Sequence, residues 1–538
     1  ANAVNVNPDG LGQVLLYPYY TARGGNDTLI SVVNTTSEGK AVKVRFIEAL
    51  NSREVLDFNL YLSPFDVWTA AVTQIDSGGD LVPGILIGDS SCTAPYLYDR
   101  DFDGPDVFPA GFPDGEQLFL DFQFNADEVP SAGFVGTIDG GPSGIERAAS
   151  GYIEMIEMGT LDETLSAAAW ATHDETGKPA DCASLNALWS TLDEPSPGVA
   201  PDDPEAGDPG FWNEEQFPGV ADATWGLISS GGGVFGGASI INVLNGTMFS
   251  YNATAIDSFW AVDPADPASG INHTNPGDLF PSLASGDNLT SNVFSSNSPN
   301  SVQSITWDGN PFALNASLTF ATVMNEYNLN SEVAARTEWV LTFPTKSFHV
   351  DSAPGGRITG AADPIKPFTD LWTVDDPDSC DKQSFKFWNR EEFTPGPGSG
   401  RPGGGAGVSP PPPPGPVTED PEFQLCREAN VIRFSNDGSQ PAATEILGEP
   451  LRDDGAGGVG TLSYTNIDLP SDEAQLFKSG WVRFDFTGFS SVPASDGTTT
   501  VTGLPVIGFG VNTFTNGQLP GGVLSNYGGT FEHRGTRE

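Results

Sequence analysis

The sequence predicts a mainly β protein made of two antiparallel β-sandwiches of Ig-like or jelly-roll type, with room for a third. Three observations carry that expectation. Apolar and polar residues alternate in many short runs, and turn-forming residues separate the runs. Gly (64) and Pro (44) are abundant enough to favour turns and short strands over long helices. At 538 residues the chain is too long for one compact core, so two to four domains are expected.

The elements follow in chain order. "GQVLLYPYYT", "TLISVVNTT", "AVKVRFIEA", "VLDFNLYLSP" and "DVWTAAV" read as consecutive strands. Val42, Val44 and Phe46 alternate with Lys43 and Arg45; Leu56, Phe58, Leu60 and Leu62 alternate with Asp57 and Asn59. Period two means one buried face and one wet face. These strands define an N-terminal sandwich over 1–192. Within it, "DETLSAAAWATH" and "DCASLNALWSTL" have acidic starts and Ala/Leu-rich bodies, so a short helical insertion is expected over about 144–192. "GYIEMIEMG" fits either a helical turn or a strand and is placed with the insertion.

Residues 193–219 are acidic and Pro-rich, the composition of a linker. A second sandwich is expected over 220–538. Its signals include "GGASIINVLNGTMFSYNATAI", with "NGT" as a hairpin turn, and "WVRFDF". In the latter, Trp481, Arg483 and Asp485 alternate with Val482, Phe484 and Phe486. A Gly/Pro-rich excursion, 394–419, interrupts this half and contains five consecutive prolines, Pro410 to Pro414. Such a tract buries too little surface to order itself, and its prolines favour a polyproline II rod that docks on aromatics.

Charge narrows the function. Acidic residues number 71 against 23 basic, a net charge of −48. Phosphate backbones are repelled, so no nucleic-acid partner is expected. No apolar run is long enough for a membrane-spanning helix, so no membrane insertion is expected. The opening "ANAV" is what cleavage at a small-residue site leaves. The chain is therefore expected to be exported behind a cleaved signal peptide and to work outside the cell or on its surface. Four cysteines, Cys92, Cys182, Cys380 and Cys426, allow three pairings in an oxidising compartment. Cys92–Cys182 with Cys380–Cys426 is favoured, because each pair then lies within one half.

Signatures of chemistry are sparse. The GxSxG, GxxxxGK[ST] and HExxH patterns do not occur. The GxGxxG matches at Gly398–Gly400–Gly403 and Gly231–Gly233–Gly236 lack the strand–turn–helix setting of a dinucleotide fingerprint. His173, His273, His349 and His533 are scattered, no two at ligand spacing, and are expected to be surface or packing residues. The one sharp motif is "YDRDFDGPDVF". Asp99, Asp101 and Asp103 precede Gly104, and Asp106 follows. Alternate carboxylates on a tight turn supply hard oxygens for Ca²⁺. Position twelve of that loop is Ala110, not the bidentate Glu of an EF-hand, so the site would be completed from elsewhere.

"GQVLLYPYYT", "LISVVNTT", "AVKVRFIEALNSREVLDFNLYLSPFDVWTAAV", "TEWVLTFPTK" and "VLSNYGGTFEHR" together resemble a group of uncharacterised secreted proteobacterial cell-surface proteins. The resemblance implies secretion and a surface role, and supplies no catalytic residues. The expected function is that of a structural subunit, not an enzyme. It would self-assemble as a homo-oligomer or polymer, in a filament or surface layer, through strand-edge and loop contacts. Residues 1–13 or the tail after Phe514 would complete a neighbour's sheet. The alternative is an adhesin that binds surface glycans with aromatics such as those of "YPYY" and "FWNEEQF". A secreted hydrolase ranks third.

Overall fold

A computed structural model describes residues 3–97, 115–126, 137–189, 211–213, 224–296, 301–392, 394, 422–437, 439, 441–450, 464–469, 477–518 and 524–538. The period-two segments form β1 (Val14–Thr21), β2 (Asn26–Asn34), β3 (Lys40–Glu48), β4 (Glu54–Leu62), β5 (Val67–Ser77) and β6 (Asp80–Ile87). β7 (Ser150–Leu161) follows, then β8 (Val234–Asn242) and β9 (Thr247–Asn252). The hairpin between β8 and β9 turns at Gly246, whose φ of 62° suits a residue without a Cβ. One sheet runs Asn5–Val6, Thr254–Asp257, β1, β7, β3, β4, Cys92–Ala94; the other runs β9, β8, β2, β5, β6, Glu116–Leu118. Phe46, Phe58 and Met155 from the first meet Ile30, Trp68 and Ile240 from the second. Each fully buried side chain of this size contributes roughly 1.5–3 kcal/mol.

Three expectations for this half are corrected. "GYIEMIEMG" is not part of the helical insertion: it lies in β7, which pairs with both β1 and β3. Glu154 and Glu157 are tolerated there because they meet Arg45 and Lys40 at 2.5 and 3.0 Å. The polar face of β3 and β4 is not wet. Lys43, Arg45 and Asn59 are fully buried: residues 274–277 cross over Lys43 and Asn59, with Lys43 Nζ donating to the Asn275 carbonyl at 2.8 Å and Asn59 to that of Thr274 at 2.9 Å, and Arg45 is held between Glu54 and Glu154 at 2.6 and 2.5 Å. Lastly, the strands do not divide at 193–219. β8 pairs with β2, and Thr254–Asp257 pairs with β1. Strands from beyond that segment thus satisfy backbone groups that β1 and β2 would otherwise leave open.

Helices α1 (Ser166–Ala171) and α2 (Cys182–Ala187) fall where the composition places them. Asp181 caps α2 by accepting from the Ser184 amide at 2.9 Å. Both pack on the outer side of the first sheet, against Ala41, Met158 and Leu161.

The C-terminal sandwich comprises β10 (Thr322–Asn328), β11 (Ala335–Thr342), β12 (Asp381–Asn389), β13 (Ala429–Ser435), β14 (Ser479–Asp485), β15 (Ile507–Gln518), β16 (Leu524–Glu532) and β17 (Arg534–Thr536). One sheet runs Glu422–Leu425, β12, β14, β10, β17; its partner runs Thr465–Asp468, β13, β11, β15, β16. Pairing is antiparallel except between β13 and Thr465–Asp468. Trp339, Phe385, Phe434, Val482 and Phe484 fill the space between.

The two sandwiches share a packed interface. Tyr251 of β9 stacks on Phe509 of β15 with ring centroids 4.7 Å apart. Arg53 reaches Asp351 at 2.9 Å, and the Trp372 indole donates to the Asp139 carbonyl at 2.8 Å. The disulfides pair as expected, Cys92 with Cys182 and Cys380 with Cys426, with Cα atoms 5.3 and 3.9 Å apart. The segments expected to complete a neighbour's sheet are already paired at home: Asn5–Val6 with Thr254–Asp257, β16 with β15, and β17 with β10. Residues 395–421, nearly all of the Gly/Pro excursion, lie outside the described residues.

Candidate functional site

The calcium-type loop with Asp99, Asp101, Asp103 and Asp106 lies outside the described residues. Among the described residues, no three His, Cys, Asp or Glu side chains converge as a metal-ligand set. The aromatics named for glycan stacking do not serve. Tyr17, Tyr19 and Tyr20 are fully buried and Trp212 is 1% exposed. The Tyr17 hydroxyl donates to the Ser31 carbonyl at 2.7 Å, and Trp212 stacks on Tyr61. The three tyrosines belong to the core because their strand is covered on both faces, and Trp212 packs with Tyr61 and Trp189.

A different aromatic site lies on the C-terminal sandwich, where β10 and β14 face β15 and β16 across an open seam. A groove of about 640 Å³ runs along it. Trp388 and Trp481 sit directly opposite each other on β12 and β14. Their rings stack with centroids 4.1 Å apart and planes 11° from parallel. The Arg483 guanidinium lies 5.7 Å from the Trp388 ring centre. Trp481 is 37% exposed and lines the groove; Tyr527 and Phe531 of β16, 61% and 43% exposed, line it too. Large exposed aromatics gathered on one concavity are unusual on a folded surface, which makes this groove the candidate site.

The sequence builds this site from strand alternation. In β14, Val482 and Phe484 point into the core, so Trp481 and Arg483 point out. In β12, Phe385 and Phe387 point in, so Lys386 and Trp388 point out. Gly480 lets the strands approach: a Cβ there would fall on the Trp388 carbonyl. Beneath the pair, the buried Tyr327 donates its hydroxyl to that same carbonyl at 3.3 Å.

The Phe531 wall is fixed from β10. Asn325 Nδ2 donates to the Phe531 carbonyl at 2.8 Å and to His533 Nδ1 at 2.9 Å. His533 Nε2 donates to the Val340 carbonyl at 2.9 Å, which sets the tautomer. Burial holds the imidazole down at about 4, so it is neutral at physiological pH. Glu326, Asn328, Arg390 and Asn512 supply the polar lining. Arg390 is highly exposed and pairs with Glu391 at 3.0 Å. Ring faces flanked by amide, carboxylate and guanidinium groups suit a ligand that is apolar on its face and hydroxylated at its rim.

Sequence reasoning set Trp481 on the polar side of "WVRFDF" but did not single it out. A Trp among charged residues on the solvent side of an alternating strand was the available signal. Trp388, Tyr527 and Phe531 join it only through strand register.

Comparison with protein-family models, curated proteins and solved structures gave no match.

Proposed function

We propose that this chain is an exported surface protein that binds glycans in the seam groove of its C-terminal sandwich. The carrying observation is the stacked Trp388–Trp481 pair, whose Trp481 lines the groove together with Tyr527 and Phe531. The pyranose ring has an apolar face that stacks on such a platform while its hydroxyls reach the amides and charges beside it. The groove's volume lies within the range of sites that enclose a small ligand. Two disulfides fit an oxidising compartment, and the resemblance to secreted proteobacterial surface proteins points the same way.

The test is titration of the native chain against a panel of neutral and acidic oligosaccharides, followed by indole fluorescence. Trp481→Ala is expected to weaken binding at least tenfold, about 1.4 kcal/mol. Its melting curve checks that the fold survives. A chain that binds no sugar at millimolar concentration refutes the proposal.

The structural-subunit reading keeps one supporting observation. The outer face of the sheet containing β2, β5, β6 and β8 carries two apolar rows, Phe235–Val33–Val67 and Leu29–Ala71–Leu86. Most of these large side chains are well exposed, and contiguous apolar surface marks contact sites. At a net charge of −48, copies would associate only where salt or cations screen them. Sedimentation across ionic strength checks this: Leu29→Glu should abolish any polymer, and a single particle at every salt concentration ends the reading.

A further inference from the structure

Several of the cations among the described residues are withdrawn into the fold. Lys40, Lys43, Arg45, Arg53, Arg147 and Lys346 are all buried. Against that background, the outer face of the sheet bearing the Trp pair stands apart. Lys386 of β12 lies opposite Arg483 of β14, Arg483 opposite Met324 of β10, and Met324 opposite Arg534 of β17. Lys382 projects from the same side of β12, two alternations before Lys386. This row crosses the sheet beside the row Trp388–Trp481–Glu326, one pleat repeat or about 7 Å away. Arg483 belongs to both features, since it lies over Trp388 and its buried Nε has no hydrogen-bond partner. Among the described side chains, the acids on this face are Glu326 and Asp485, and Glu532 pairs with Arg534 at 2.9 Å; Glu422 stands opposite Ser384 in the strand register. Asp485 is committed to the Thr487 amide at 2.9 Å.

We infer that the groove takes an acidic glycan, a polymer bearing carboxylate or sulfate, whose rings stack on Trp481 while its anions meet the Lys386–Arg483–Arg534 row. The inference rests on the glycan reading of the groove and names the ligand class. Guanidinium groups bind carboxylate and sulfate through charge-assisted hydrogen bonds about twice as strong as neutral ones. The overall charge of −48 opposes approach of any polyanion at low salt. At about 0.15 M salt the Debye length is about 8 Å. Distant acids are then screened while contacts at hydrogen-bond distance persist.

The experiment compares native chain and variants at that ionic strength against polygalacturonate, the same polymer with its carboxyls reduced, and dextran sulfate with unsubstituted dextran. An acidic-to-neutral affinity ratio of about ten or more is expected in at least one pair, and which pair shows it identifies the anion. The triple variant Lys382→Gln, Lys386→Gln, Arg534→Gln should bring that ratio close to one. Arg483→Gln gives an independent check, and melting curves confirm folding of both. Equal native binding to acidic and neutral polymers overturns the acidic preference and leaves the groove reading standing. A ratio that survives both variants overturns the assignment to this face. Binding to no polymer removes the groove reading itself.

Discussion

Replacing Arg147 with Met tests how much a buried charge cluster contributes to the stability of the N-terminal sandwich. Arg147 is fully buried and reaches Asp139 at 2.7 and 3.0 Å and Glu48 at 2.9 Å. Burial pushes the Asp139 carboxyl up, but Arg147 and then Arg53 outweigh it and hold the group at about 2. Arg147→Met keeps the volume and deletes the charge. Asp139 would then keep Asn51 at 3.2 Å, the Gly141 amide at 3.1 Å and Arg53 at 3.5 Å. Glu48 would keep the amides of Leu50, Asn51 and Arg53. Removing one partner of a buried pair costs about 3–5 kcal/mol, a large share of a domain's stability. The sign with pH follows from the carboxyl. In the native chain its folded value is depressed, so its stabilisation is present above about pH 4 and is lost as pH falls through about 2. In the variant the unpaired carboxyl rises, so the deficit is full at pH 7 and smaller at pH 4.5. Urea unfolding at both pH values measures it, and adding Asp139→Asn should recover part of the loss. A cost below about 1 kcal/mol at pH 7, or equal costs at both pH values, refutes the reasoning.

Other expectations are briefer. Burial raises Asp351 to about 6 and Glu338 to about 7, so each carboxyl keeps a proton that the unfolded chain releases. That stabilisation is full below about pH 4 and fades as pH rises through 6–7. Calorimetry should find a higher melting temperature at pH 5 than at pH 8, and a steady rise toward pH 8 would contradict it. Loss of Cys92–Cys182, which spans 90 residues, or Cys380–Cys426, which spans 46, should cost about 4–5 kcal/mol each by loop entropy. Denaturant midpoints with and without reductant measure the combined effect; coincident curves would show that the bridges contribute nothing. Chelation by EDTA should lower the melting temperature if the loop at Asp99, Asp101 and Asp103 holds calcium, and Asp101→Asn should remove the response. An unchanged melt strikes those residues from the metal site.

What the residues announce on their own is local. The alternations in β3, β4 and β14 mark strands because neighbouring side chains in a pleated chain point to opposite faces, whatever surrounds them. Composition likewise placed α1, α2 and the β8–β9 hairpin. Cysteine count and chain halves were enough for the disulfide pairing. Tertiary structure decided whatever depends on residues far apart in the chain. Lys43 and Asn59 looked solvated until residues 274–277 covered them. "GYIEMIEMG" could become a central strand only because Arg45 and Lys40 neutralise its glutamates. The groove draws on residues from Glu326 to Phe531, and its cation row exists only through the register of β12, β14, β10 and β17. Alternation says which side of a strand a residue occupies; only pairing between distant strands says what stands beside it.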